Sequence, residues 1–120
     1  MGRTRALIVV ALLVVFVLVV GVVIYANSHE GGQNRTFNVT VSGAKSMSPS
    51  TLQPAHVGDT ITINVTSDQS GEVHLHEYDI PFEVEAGKTV SHTFKADKTC
   101  TCLLEWESTS TSLGNLIVSP

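Results

Sequence analysis

Two kinds of apolar pattern divide this chain. From Ala6 to Tyr25 the sequence ALIVVALLVVFVLVVGVVIY runs for twenty residues without a charge. At a helical rise of about 1.5 Å per residue it matches the roughly 30 Å hydrocarbon core of a bilayer, which predicts one transmembrane helix over residues 6–26. After residue 27 the period changes. TFNVTV (36–41) alternates Phe37, Val39 and Val41 with polar neighbours, and TITINVTS (60–67) does the same with Ile61, Ile63 and Val65. Period two predicts half-buried strands. EVHLHEY, FEVE, TVSHTFK, TCTCLLEWE and LGNLIVS continue the series, broken at VGD (57–59), DQSG (68–71), EAGK (85–88) and KADK (95–98). About seven or eight short strands with such punctuation predict an all-β fold, an antiparallel Greek-key β-sandwich.

The flanks of the apolar run set its orientation. MGRTR (1–5) holds Arg3 and Arg5 and no acid, so the positive-inside rule keeps this tail in the cytoplasm and sends the C-terminal domain outside. A secretory signal carries a shorter apolar region of about 7 to 15 residues. The run therefore reads as an uncleaved signal-anchor in the cell membrane, although IYA before Asn27 is a weak match to a cleavage site. Ala6 stands where a myristoylation motif wants Ser or Thr. Residues 27–35, NSHEGGQNR, are polar and glycine-containing and suit a flexible linker, which leaves 36–120 as one modest domain.

Setting aside Arg3 and Arg5, five basic residues face eleven acids, a formal charge of −6. Nucleic acid is excluded as a partner on that balance. No Lys or Arg lies between Lys45 and Lys88, while Asp59, Asp68, Glu72, Glu77, Asp79, Glu83 and Glu85 do. A cation-attracting face and plain solubility beside an anionic membrane both account for that stretch.

HLHEYD (74–79), HVGDTITINVTSD (56–68) and LGNLIV (113–118), at their spacings across the whole domain, resemble the cupredoxin-like domains of the EfeO type. The resemblance implies a cupredoxin-like β-sandwich. Relatives commonly have Gly after the second histidine and before the penultimate strand, where this chain has Glu77 and Cys100. A blue-copper centre needs two imidazoles, a thiolate and a weak axial ligand, often Met. His76, followed by Pro81, resembles the mid-chain ligand of that family, but neither His nor Met follows Cys102. Type 1 electron transfer is therefore not expected.

A different metal site is open. His74 and His76 lie two apart on a predicted strand and share a face. Glu105 and Glu107 do the same at the end of the penultimate strand, which by analogy of fold lies nearby. Asp79 or Tyr78 would complete a mixed nitrogen and oxygen shell for copper, zinc or iron. The plain reading is two imidazoles on a polar face. His56 beside its turn and His92 in phase with Val90 and Phe94 read as structural, and His29 as a linker residue. Cys100 and Cys102 carry three readings: a disulfide favoured by an oxidising compartment, a Cys-x-Cys copper(I) clamp, or two small hydrophobes buried in register with Leu104 and Trp106. On a straight strand their Cα atoms stand roughly 6.5 to 7 Å apart, at the upper limit for a bond. Met47 is a further soft donor, in a region that bridges the two sheets in similar domains.

Asn34, Asn38 and Asn64 each head an Asn-x-Thr sequon, a pattern that Thr-rich strands also generate by composition. No nucleophilic triad, phosphate loop or carboxylate pair in a cleft is recognisable, so no enzyme is expected. The functional expectation is a membrane-anchored, extracytoplasmic cupredoxin-like protein that binds a transition metal in metal handling. Its rival is a metal-free module for another envelope protein.

Overall fold

The computed structural model describes residues 32–120. The predicted tail, transmembrane helix and most of the linker lie outside the described residues, among which no helix is long and apolar enough to cross a membrane. The described residues form nine strands: β1 (Asn34–Ser42), β2 (Ser46–Ser48), β3 (Thr51–Leu52), β4 (Thr60–Ser67), β5 (Gly71–Leu75), β6 (Ile80–Val84), β7 (Thr89–Lys95), β8 (Cys100–Trp106) and β9 (Thr111–Val118). A single 3-10 turn, Glu107–Thr109, joins the last two. One sheet has the order β2-β1-β4-β7 and the other β3-β9-β8-β5-β6.

Period two carries through to the packing. Ile61, Ile63 and Val65 of β4 are fully buried, as are Val73 and Leu75 of β5, Phe82 of β6 and Leu104 of β8. Their neighbours in sequence point out of the sandwich. Burying one such aliphatic side chain stabilises the fold by about 1.5–3 kcal/mol.

Two pairings depart from the expected all-antiparallel arrangement. β1 runs parallel to β4, with Phe37 opposite Ile63 and Val39 opposite Val65, and β3 runs parallel to β9. The reason lies in SMSPSTL, where β2 joins the first sheet and β3 the second. The chain crosses between sheets and returns, so β4 enters in the same direction as β1. Met47 of β2 is in the core, 6% exposed, and its thioether packs over Gly114 of β9. A Cβ at Gly114 would run into that thioether and the Ser50 carbonyl. Met47 thus bridges the two sheets as a core residue and is not available as a metal donor.

The sandwich begins slightly before the expected Thr36. Gly32 N–H donates to the Gly58 carbonyl at 2.9 Å, and Thr60 N–H donates to that of Gln33 at 2.9 Å. Asp59, 2% exposed, holds this corner. Its carboxylate accepts from the Gln33 N–H at 2.8 Å, the His56 N–H at 2.8 Å and the Arg35 guanidinium at 3.2 Å. Burial alone would raise its pKa, but the two backbone N–H groups and Arg35 outweigh that and hold the carboxyl below its ordinary value. Ala96 N–H donates to the Asp59 carbonyl at 2.8 Å and Gly58 N–H to the Ala96 carbonyl at 2.7 Å, which ties in the end of β7.

Hydrogen bonds to a buried charge are each worth about 1.5–3 kcal/mol, so Asp59→Asn is predicted to lower stability by roughly 2 kcal/mol in chemical denaturation. A depressed carboxyl pKa contributes stability that is complete above the unfolded value of about 3.9 and is lost as pH falls through the folded value. The gap between wild type and variant should therefore be constant near neutrality and close in acid. A gap independent of pH would contradict an ionised Asp59.

Candidate metal site

His74 lies in β5 opposite Pro81 of β6 on one side and Glu105 of β8 on the other. Because Val73 and Leu75 are buried, the alternation of the strand turns His74 outward. The strand ends at Leu75, earlier than EVHLHEY predicts, and His76 opens a turn. Its backbone N–H still donates to the Leu103 carbonyl at 2.9 Å, which keeps its side chain on the outer face. The turn then passes through two left-handed residues, Glu77 at φ 71° and Asp79 at φ 51°. Each costs on the order of 1 kcal/mol in a residue with a Cβ.

That turn returns Asp79 to His74. Asp79 Oδ1 lies 2.6 Å from His74 Nε2, and on the far side Glu107 Oε2 lies 3.8 Å from His74 Nδ1. Glu105 Oε1 lies 3.5 Å from His76 Nε2. The two imidazoles meet edge to face, with centroids 4.7 Å apart. The structure therefore gathers His74, His76, Asp79, Glu105 and Glu107 in one patch. Glu105 comes from β8 at an irregularity: Leu104 faces Gly114 while Glu105 faces Ser112, which leaves Leu113 as the extra residue of a bulge, a device that re-aims side chains. Glu107 comes from the 3-10 turn and not from the strand.

The patch is not a finished coordination sphere. Among the described residues no three His, Cys, Asp or Glu side chains are already arranged to hold a metal ion. One atom nevertheless lacks a partner: His76 Nε2 is buried and makes no hydrogen bond, because Glu105 is near enough for an ion pair but not aligned to accept. The His76 side chain as a whole is 40% exposed, so the cost is local to this nitrogen, and a cation held with Glu105 would remove it. The donor set, two imidazoles and three carboxylates, fits a transition-metal ion.

Glu72 and Glu83 extend the patch beyond the five residues expected from the sequence. They face each other across β5 and β6, and hydrogen bonding with Glu83 is the main cause of a raised Glu72 pKa, with partial burial and the charges of Glu83 and Glu107 adding to it and His74 opposing. Their positions, two residues from His74 and from Pro81 on paired strands, are the signal that finds them. A shallow depression of about 280 Å³, lined by Glu83, Glu85, Lys88, Thr89 and Val90, contains neither histidine.

Three other sequence candidates lie elsewhere. The Tyr78 hydroxyl donates to the Lys98 carbonyl at 2.7 Å and its ring packs on Phe94, so the turn carries it toward β7 and away from the histidines. Burial raises its pKa. Cys100 and Cys102 form a disulfide with Cα atoms 5.3 Å apart, closer than on a straight strand. Of the three readings of this pair the structure carries the bond; Cys102 is fully buried with Leu104 and Trp106 in the core, while Cys100 is only partly buried against it. Neither sulfur is a free thiolate, and the histidines face the other side of the sheet, so the residues do not fit a type 1 copper centre. His92 packs edge-on against Phe82, and His56 sits beside Asp59.

The described residues form an all-β sandwich whose structural neighbours are proteins with cupredoxin-like domains. The neighbours include a blue copper oxidase from Nitrosomonas europaea, with a TM-score of 0.54 and 18% identity, and the multicopper oxidase mgLAC, with 0.53 and 20%. Each match covers 72% of this chain and 39% of the other, so the chain spans about two-fifths of those enzymes. At such identities the likeness is one of fold. No protein-family model and no curated protein matches the chain.

Glu77→Gly is predicted to stabilise the domain by about 1 kcal/mol, because glycine accepts the left-handed turn without the Cβ clash. Chemical denaturation measures it. Unchanged or lower stability would contradict the strain assigned to this turn.

Proposed function

We propose that the chain is a membrane-anchored, extracytoplasmic cupredoxin-like protein that binds a transition-metal ion in metal handling. The ligands are His74 and His76, with Glu105, Glu107 and Asp79 supplying carboxylate oxygens. The observation that carries this reading is the unpaired, buried His76 Nε2 beside His74 and Glu105. Mixed imidazole and carboxylate sites favour copper(II) over zinc and iron(II) in the general affinity order. The two oxidases of similar fold, a blue copper oxidase and a multicopper oxidase, point the same way. Among the described residues, electron transfer through a type 1 centre has no ligand set, since both cysteines are in a disulfide.

The rival reading, a metal-free module for another envelope protein, draws on no apolar patch among the described residues. Val57, 42% exposed, is the single large hydrophobic side chain among them that is fully on the surface, others such as Phe37 and Ile80 being half-buried, and contiguous apolar patches are what mark such interfaces.

Calorimetric titration of the full chain with copper(II) and zinc tests the reading. One ion per chain is predicted to bind at micromolar Kd or tighter, about −8 kcal/mol. The His74→Ala/His76→Ala double variant should lose at least about 100-fold in affinity, and Glu105→Gln about tenfold. Equal binding by wild type and double variant, or no binding by either, would overturn the proposal.

A further inference from the structure

The outer face of the other sheet differs in kind from the His-acidic patch. Apart from Lys95 at the end of β7, its rows consist of short uncharged polar side chains. Thr36 stands opposite Thr62, and Asn38 opposite Asn64. β7 extends these rows with Thr93 and Ser91. Hydrogen bonds link the rows: Thr62 with Thr93 at 2.8 Å, Thr66 with Thr89 at 2.7 Å, and Asn64 Nδ2 donating to Asn38 Oδ1 at 2.9 Å. All three Asn-x-Thr sequons fall on this one face, since the asparagine and threonine of each sit two apart on a strand.

They are not equivalent. Asn64 is in β4, between β1 and β7, and its carboxamide is engaged at both atoms: Nδ2 donates to Asn38, and Oδ1 accepts from the Ser91 hydroxyl. Asn34 and Asn38 are exposed on β1. Among the described residues, β2 covers only Thr40–Ser42 of the outer edge of β1, so the stretch from Asn34 to Val39 has an open edge. Natural proteins guard such edges with charge, proline, a bulge or a covering group. Here Arg35 is the one charge on that stretch, and it is turned to Asp59.

We propose that the open half of β1 is a glycan acceptor, modified at Asn34 and Asn38 and not at Asn64. In the reaction, the side-chain amide nitrogen bonds to the anomeric carbon of a sugar carried on a membrane polyisoprenyl phosphate. The bond from that carbon to the phosphate oxygen breaks, the lipid phosphate leaves with the electron pair, and the amide gives up one proton. The glycan covers an edge that no side chain guards. The proposal rests on the outward orientation of the domain and is independent of the metal site.

Glycopeptide mass spectrometry of the full chain, purified from the cells that produce it, reads the three sites separately. Cleavage after Arg35, Lys45 and Lys88 puts Asn34, Asn38 and Asn64 on different peptides. Carbohydrate mass is expected on the first and the second, with the Asn64 peptide bare. Thr36→Val, which keeps the β-branched shape and removes one sequon, should strip carbohydrate from Asn34 and leave Asn38 unaffected. Unmodified masses for all three peptides, or carbohydrate on Asn64, would overturn the proposal.

Discussion

The pairing of β5 with β8 is the constraint on which the rest of the patch depends. Val73 faces Trp106 and Leu75 faces Leu104 across this ladder, and all four are buried. A slip of one residue would expose all of them, at a cost of several kcal/mol. The register is therefore held from inside the core, and its outward consequence is that His74 must sit beside Glu105. The site residues have no attraction strong enough to set that arrangement themselves, since exposed ion pairs contribute at most about 1 kcal/mol each.

Around this ladder the molecule places its irregular elements where they act on the outer face. The bulge at Leu113 lets β8 present Glu105, and the 3-10 turn then brings Glu107 back toward His74. The left-handed turn at Glu77 and Asp79 does the same from the other end of β5. At the opposite corner, Asp59 joins the start of β1 to the start of β4 and the end of β7, a fully satisfied buried charge. The two outer faces have separate chemistries as a result: imidazole and carboxylate on one, neutral hydroxyl and carboxamide on the other.

Much of this was legible from residue order. β1, β4 and β7 carry strict alternation, and a half-buried strand leaves no other imprint; the sandwich class followed from their number and spacing. β2 and β3 were not legible, because three and two residues are too short to show a period, and with them went the parallel pairing of β1 with β4. Strand parity and likeness of fold point to the five residues of the patch, but their meeting depends on the β5–β8 register, which no local pattern encodes. The position of Tyr78 is not legible, because its turn has no glycine to announce it. The cysteine pair turned on a local contraction of β8 that strand geometry alone does not foresee.

The central claim is that His74 and His76 hold one ion together, and its most direct test is electron paramagnetic resonance of the full chain loaded with one equivalent of copper(II). The account predicts hyperfine coupling to two imidazole nitrogens, lost in the His74→Ala/His76→Ala variant. A spectrum without imidazole coupling, or one that the double variant reproduces, would contradict it and return the two histidines to the role of polar surface residues on a sheet.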